Sequence, residues 1–300
     1  MKQAVALQRP NMFNFFIGTI VAVIFKTFLK QRIPSRVGRY SLVKEIKRND
    51  GAHNIAVGIY EKNGKKYFIK TWQGKMKDIY YYYLRNEYIN TIYLGKIFRE
   101  TKVTKSVNVP AVISFHETEK MTSIIFEYIE GKTVTELSLE QQSNVFVKIF
   151  TALQKASTLL NTKENVMLDH KGLPYYVCLS SVITLLQAVF HPLLVRSTVS
   201  TYVRLLHSLS HSDGSNLVLA HRDLTPDNII VKKSIIYLVD CENLVMTLAD
   251  YDAAFIMSNP EYTKLAKQLQ KKIVYHANFF TTYIPFHLSL ENSLYAKKYI

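Results

Sequence analysis

The segment from Leu219 to Val231 constrains this chain more than any other feature of its sequence. It holds a carboxylate, Asp223, and five residues later an amide, Asn228, at the start of an apolar run typical of a strand. A second apolar run follows a short turn and ends at another carboxylate, Asp240. Two short strands joined in this way predict that three oxygen-bearing side chains gather around one point.

An acid, an amide and a second acid in this order suit phosphoryl transfer. One carboxylate is needed to orient an attacking hydroxyl and accept its proton, while amide and carboxylate oxygens hold Mg²⁺ against phosphate groups. A purely structural Thr-Pro-Asp-Asn turn explains the bend at 225–228, but it does not explain the ordered arrival of an apolar strand and two acids.

The same segment resembles the catalytic loop of the kinase superfamily, whose His-Arg-Asp and following Asn it reproduces. The resemblance implies that Asp223 is the catalytic base and that Asn228 and Asp240 are metal ligands. It implies that His221 is a packing residue that shapes the loop. ATP and Mg²⁺ are the cofactors to expect.

An independent pair of charges lies upstream of this loop. Lys70, in a predicted strand, fits the superfamily's strand lysine that holds the α- and β-phosphates, and Glu87, on the next predicted helix, fits its ion-pair partner. No other acid lies between Asp78 and Glu100. Each residue alone is equally explained as a solvated charge. Together, and in this order before the loop, they favour a functional role.

The remaining nucleotide contacts are expected from backbone groups. The stretch ending at Gly131 takes the place of the hinge between lobes, where an adenine edge is bound. The first hairpin lacks the three-glycine loop usual in protein kinases, so a small turn is expected to cover the phosphates with its amides. The residues concerned are Gly51, Ala52, Glu127, Tyr128 and Ile129.

Three features narrow the resemblance to the aminoglycoside phosphotransferase and choline kinase family. Asp240 is followed by Cys-Glu rather than Phe-Gly, and the run 250–254 comes too soon to leave room for a peptide-binding activation segment. The stretch 131–210 is also longer than protein kinases use before the catalytic loop. In the family that the chain resembles, extra helices at this point build the acceptor pocket.

The order of predicted elements agrees with an α+β, bilobal, protein-kinase-like fold. Five antiparallel strands with one helix form the N-lobe, a mainly helical C-lobe follows, and a hydrophobic helix precedes both. We expect a membrane-associated segment at 1–36, a nucleotide-binding lobe at 37–128 and a C-lobe at 129–300. Amphipathic helices are predicted at 141–160, 179–190 and 199–211, and further helices from Thr247 onward.

The positive charge of the chain is concentrated at its N-terminal end. Up to Lys77 there are sixteen Lys and Arg against three acids, although the whole chain carries only +15. The apolar run at 12–29 is marginal for a bilayer span, so it spans with tilt, lies in the headgroup region or packs on the protein. The flanking charges predict a location on the cytoplasmic side of a membrane, with the cytoplasm itself as the alternative.

These features together predict an ATP- and Mg-dependent kinase that phosphorylates a hydroxyl of a small molecule or lipid-linked sugar at an anionic membrane surface. Two alternatives stay open: a protein Ser/Thr kinase of atypical lineage, and a membrane-tethered pseudokinase that binds without catalysis. Nucleic acid is not expected as a partner, because the basic quarter lacks the aromatic-interleaved strand motif of RNA-binding sheets. Two cysteines exclude a disulfide framework.

Overall fold

A computed structural model describes residues 33–46, 55–74, 77–162, 168–172, 174–178 and 217–273, with isolated positions between 181 and 207 and at 284. The chain divides into two compact units. The first unit comprises Met1–Lys132 and Ile230–Asn243, and the second comprises Thr133–Ile229 and Leu244–Ile300. The first unit is therefore built from two separate stretches of sequence.

An antiparallel sheet of six strands forms the main part of the first unit, in the order β1-β2-β3-β4-β7-β6. The sequence predicted five strands for this sheet, and the structure has six. The additional strand is β1, whose two residues are too few to leave a pattern in the sequence. The strands are β1 (Arg36–Val37), β2 (Tyr40–Glu45), β3 (Ile55–Lys62), β4 (Lys65–Gln73), β6 (Val112–Glu117) and β7 (Met121–Glu127).

The hairpin between β3 and β4 follows from its two turn residues. Asn63 and Gly64 have φ values of 52° and 73°, and Lys62 pairs directly with Lys65 across them. Positive φ at both central residues is the turn geometry that matches the twist of two antiparallel strands, and Asn-Gly adopts it at low cost. This turn fixes the register of β4 on β3.

Helix α1 (Ile79–Glu100) packs its apolar residues on one face of the sheet. Tyr81 and Leu84 join Trp72 and Ile124 in one buried cluster. On the other face a second cluster contains Tyr60, Ile69 and Ile125, in keeping with the alternation of side chains along a strand. A helix against one face of a curled sheet thus holds the core of the first unit.

A smaller sheet has the order β5-β12-β11-β8. Its strands are β5 (Val107–Asn108), β8 (Lys132–Thr133), β11 (Ile229–Lys232) and β12 (Ile235–Leu238). Gly131 precedes β8, and a Cβ atom at this position would lie 2.6 Å from the carbonyl oxygen of Val231. Only glycine fits so close to the β11 backbone.

The second unit combines helices with a three-stranded sheet. Helix α2 (Leu139–Leu160) begins at a capping box in which Ser138 and Gln141 each bond the other's backbone N–H. The sheet has the order β10-β13-β9, with β9 (His170–Lys171), β10 (Leu217–Ala220) and β13 (Val245–Leu248). Helices α3 (Tyr251–Ser258) and α4 (Thr263–Leu269) follow.

The expectation of helices from Thr247 onward is wrong at its start, because Thr247 lies inside β13. All four residues of β13 are buried, with β10 antiparallel on one side and β9 parallel on the other. A strand buried on both faces shows no polar alternation, so periodicity cannot separate it from the start of a helix. The helices begin four residues later, at Tyr251.

The predicted hydrophobic helix at 12–29 and most of the predicted helices at 179–190 and 199–211 lie outside the described residues, as do Gly51 and Ala52. Within the described part of the chain, none of the helices combines the length and the apolar character needed to cross a bilayer.

Candidate active site

Lys70 lies in the middle of β4, between β3 and β7, where it pairs with Val57 and Ile124. Its side chain is only 3% exposed. Its Nζ atom lies 2.7 Å from Glu87 Oε2 and 2.8 Å from Asp240 Oδ1. A buried ammonium group is tolerated only when it is paired, and here two carboxylates share it. The structure thus brings the lysine, Glu87 and Asp240 together.

The position of Glu87 depends on how α1 begins. Asp78 caps the helix, and its Oδ1 atom accepts the backbone N–H groups of Tyr80 and Tyr81 at 3.0 and 3.1 Å. The same oxygen accepts the indole N–H of Trp72 at 2.8 Å. Because Trp72 lies two residues after Lys70 on β4, this carboxylate ties the start of the helix to the strand that carries the lysine.

Asp240 follows β12 in the left-handed backbone region, with φ of 62°. Aspartate is one of the few residues that adopt this region without a large penalty. Cys241 next to it is fully buried, and burial raises the pKa of its thiol, with the nearby Glu87 and Asp240 carboxylates adding to the effect. The thiol therefore stays protonated and acts as a small apolar side chain.

Three carboxylates of the first unit converge at this turn. Oxygen atoms of Glu87, Asp240 and Glu242 lie within 4.8 Å of one another. Hard oxygen donors of this kind suit a small divalent cation such as Mg²⁺, so the residues present fit the metal that phosphoryl transfer requires. We call Lys70, Glu87, Asp240 and Glu242 the lysine group.

The predicted catalytic loop lies in the second unit. The side-chain amide of Asn228 donates at 2.9 Å to both the carbonyl oxygen and Oδ2 of Asp223. The backbone N–H of Thr225 also donates to the carbonyl of Asp223, at 2.9 Å. With its nitrogen used in this way, the amide has its oxygen left as the atom of metal-ligating type. The loop thus fixes Asp223 and Asn228 against each other.

Asp252 anchors the loop from behind, a role that the sequence analysis missed. Its Oδ2 and Oδ1 atoms accept the backbone N–H groups of His221 and Arg222, both at 2.8 Å. Burial raises the pKa of the Asp252 carboxyl, and the His221 charge and the two backbone hydrogen bonds only partly offset this. The available signal was the acid at the start of the helix after β13, but sequence could not reveal its target.

Arg222 takes a left-handed backbone conformation, with φ of 67°. Its guanidinium group lies 5.0 Å from the ring centroid of Tyr251, next to Asp252 on α3. His221 is fully buried. We call Asp223, Asn228 and Asp252, with the backbone of 221–222, the loop group.

The predicted hinge begins where β7 ends. The carboxylate of Glu127 accepts the N–H of Ala111 at 2.8 Å, and the Glu127 N–H donates to the carbonyl of Ala111 at 2.9 Å. These two groups of Glu127 are therefore used within the protein. The adenine contact expected from 127–129 stays a prediction.

The predicted site residues thus fall into two sets, each described within its own unit. The first unit brings Lys70, Glu87 and Asp240 together, and the second brings Asp223 and Asn228 together. Along the chain the sets are joined by the hairpin of β11 and β12, which begins directly after Asn228 and ends two residues before Asp240.

Comparison with known proteins gives two findings. A family profile described as the phosphotransferase enzyme family (APH) matches residues 87–272. A thermostable mutant of aminoglycoside phosphotransferase APH(4)-Ia, solved as a ternary complex with ADP and hygromycin B, aligns with a TM-score of 0.63 at 11% identity, covering 92% of this chain and 91% of that one. A search of curated proteins finds no match.

Two further structures agree with this alignment. The apo form of a thermostable mutant of the same phosphotransferase gives a TM-score of 0.62 at 12% identity, covering 87% of this chain and 90% of that one. A type VIII aminoglycoside-3'-phosphotransferase gives 0.50 at 15% identity, covering 85% and 95%. At these identities the likeness establishes the fold, a mixed α/β kinase-like fold with a curled antiparallel sheet.

Proposed function

The chain belongs to the phosphotransferase enzyme family, and from this premise we propose that it transfers the γ-phosphoryl group of ATP to a hydroxyl group of a small molecule. The observation that carries the proposal is the buried Lys70, held at once by Glu87 and Asp240. Two carboxylates fix the position of the Lys70 ammonium group, as binding of phosphates by a lysine requires.

The proposed reaction uses both groups of residues. The acceptor hydroxyl donates a hydrogen bond to Asp223, its oxygen forms a bond to the γ-phosphorus, and the bond from that phosphorus to the bridging oxygen of ADP breaks. The hydroxyl proton passes to Asp223. Lys70 binds the α- and β-phosphates, and Glu87 keeps it in place.

Asn228 and Asp240 are the proposed metal ligands. Magnesium, when bound, neutralises negative charge on the phosphates. The carboxylate of Asp240 also accepts a hydrogen bond from Lys70. The same side chain would therefore hold both the lysine and the metal in place. Gly51, Ala52 and the backbone of 127–129 remain the proposed contacts for the rest of the nucleotide.

The acceptor is proposed to be small. The similar phosphotransferase was solved as a ternary complex with ADP and hygromycin B, which supports a small-molecule acceptor. Aminoglycosides, amino alcohols and lipid-linked sugars are the panel to assay, the last because of the basic, apolar N-terminal end of the chain.

Replacing Asp223 by Asn tests the proposal. We expect Asp223→Asn to abolish phosphoryl transfer and to leave MgADP binding, measured by thermal shift, intact, because the base contacts the acceptor and not the nucleotide. Asp227→Asn is the matched control, since Asp227 lies exposed in the same loop. Turnover at the wild-type rate in Asp223→Asn would overturn the assignment of the loop.

We also propose that the N-terminal end holds the enzyme at the cytoplasmic face of an anionic membrane. Arg36, Arg39 and Lys44 are exposed on β1, β2 and the turn between them. In the sequence they follow the apolar run 12–29. Each basic residue near such a surface adds about 1 kcal/mol of attraction.

Deletion of residues 1–30 tests this attachment. The truncated protein should leave the membrane pellet yet keep its ATP turnover, and its residual binding to anionic vesicles should fade as salt rises. The full-length chain should resist the same salt. Recovery of full-length protein in the soluble fraction without detergent would refute the attachment.

A further inference from the structure

Asn90 is a buried amide on α1 that points at the turn bearing Asp240. Its side chain is 0% exposed. Its Nδ2 atom donates to the carbonyl oxygen of Cys241 at 2.8 Å and to that of Glu242 at 3.2 Å. A residue of the helix therefore holds the two backbone carbonyls that directly follow Asp240.

The turn needs such support because of its backbone. Asp240 has a φ of 62°, and it is followed at once by a single 3-10 turn, Cys241–Asn243. A residue in the left-handed region keeps that conformation only when its surroundings determine it. Two hydrogen bonds from one rigid helix to the next two carbonyls provide such a constraint.

Glu87 and Asn90 act from the same face of α1, because residues three apart in a helix are neighbours. Glu87 pairs with Lys70, whose Nζ atom contacts the Asp240 carboxylate at 2.8 Å. The helix thus fixes Asp240 twice, through its side chain by way of the lysine and through the backbone after it by way of Asn90.

A simple packing role does not explain this amide. Leucine has the same branching as asparagine and would occupy the position without the cost of burying a polar group. What leucine cannot do is donate to two carbonyls. The amide is therefore needed for those bonds rather than for its size.

We propose that Asn90 is a positioning residue that sets the metal affinity of the site by holding the Asp240 turn. The proposal rests on the proposed function, since Asp240 is a metal ligand only in that reaction. Residues that orient a ligand without touching the metal commonly change metal affinity when they are replaced.

The test compares Asn90→Leu and Asn90→Ser with Asn86→Leu. Asn86 lies one turn earlier on α1 and is also buried, so its replacement reproduces the loss of a buried amide from the same helix. All variants are assayed for secondary structure by circular dichroism, for Mn²⁺ binding by electron paramagnetic resonance in the presence of ADP, and for the Mg²⁺ concentration that gives half-maximal turnover.

We expect both Asn90 variants to bind Mn²⁺ at least about tenfold more weakly and to need correspondingly more Mg²⁺. Their affinity for ADP without metal should be unchanged, because Lys70 and Glu87 remain. Asn86→Leu should leave metal affinity at the wild-type value.

Three results would overturn the inference: folded Asn90 variants with wild-type metal affinity, an equal loss of affinity in Asn86→Leu, or failure of both Asn90 variants to fold, which would make the amide a requirement of folding alone. A wild-type protein that binds no MnADP is a different result. It would refute the proposed function itself, and this inference with it.

Discussion

The lysine group and the loop group are held in place in different ways. In the lysine group, side chains far apart in sequence meet directly: Lys70 reaches Glu87 across 17 positions and Asp240 across 170. In the loop group, Asp223 and Asn228 are five residues apart, and the anchor Asp252 bonds backbone N–H groups. The first set therefore depends on the register of a sheet and a helix, and the second depends on one buried carboxylate.

The largest expected effect comes from removing the lysine itself. Lys70→Met should lower kcat/KM by a factor of about 10² to 10³, because a preorganised charge against the phosphates is lost. Glu87→Gln should have a smaller effect with a raised ATP KM, since it lets the lysine move. Steady-state kinetics over a range of ATP concentrations separate the two. An unchanged ATP response in Lys70→Met would move the phosphate-binding role to another lysine, with Lys66 the first candidate.

Asp252→Asn comes next and acts on the loop group alone. The substitution replaces one of the two acceptor oxygens by an NH₂ group, which then faces a backbone N–H group without an acceptor. We therefore expect a loss of about 1–3 kcal/mol in the free energy of unfolding. The value of kcat should fall while MgADP binding persists. Urea unfolding and kinetics measure both effects.

Asp250→Asn is the matched control for Asp252, because asparagine also tolerates the left-handed conformation that Asp250 adopts, with φ of 67°. If the control lost as much stability as Asp252→Asn, the anchoring of 221–222 would not be the cause.

Asp78→Ala should loosen the lysine group without touching a member of it. The variant loses the cap of α1 and the acceptor for the Trp72 indole, so a loss of about 1–2 kcal/mol is expected. The ATP KM should rise, because the helix that carries Glu87 is no longer tied to β4. Asp78→Asn keeps an acceptor oxygen at the cap and should restore both values. Without that rescue, the hydrogen bonds of Asp78 would not explain the loss.

The smallest effect is expected at the surface, where Glu117 accepts from Lys77 and from Tyr81 of α1, each at 2.7 Å. Partial burial raises the pKa of Glu117, but these hydrogen bonds outweigh it and leave the pKa below its ordinary value. A lowered pKa in the folded state adds stability above the ordinary carboxyl range, and that stability is lost as the pH falls through the lowered value.

Glu117→Gln should therefore lower stability by less than about 1 kcal/mol at neutral pH, because the pair is partly exposed and screened by solvent. The difference from the wild type should shrink in acid. Thermal unfolding at neutral and acidic pH measures it. A difference that grew toward low pH would contradict the lowered pKa.

The contrast between the two groups also explains what sequence could and could not predict. Asp223, Asn228 and Asp240 lie in one short stretch of sequence, so local pattern was enough to single them out as candidates. Lys70 and Glu87 needed the superfamily's order of elements to be recognised. Asp252 and Asn90 act through backbone groups 30 and 151 positions away, and no pattern in the residues themselves indicates such targets.

The prediction of secondary structure shows the same contrast between local sequence pattern and distant contacts. The sequence predicted strands and one helix for the N-lobe, and the helix predicted at 141–160 lies close to the observed α2, Leu139–Leu160. The strands β1, β5, β8, β9, β10 and β13 were missed, because they are two to four residues long or buried on both faces. Pairing with distant partners, rather than local preference, makes these segments extended.

The division of the first unit into two stretches of sequence has a consequence for how the protein is made. Residues 230–243 supply β11, β12 and Asp240 to a unit whose other part ends at Lys132. During synthesis Asp240, the second carboxylate partner of Lys70, is therefore made 170 residues after the lysine. Contacts so distant in sequence close slowly and leave apolar surface exposed in the meantime. A gene fragment ending at Lys132 would lack part of its own unit.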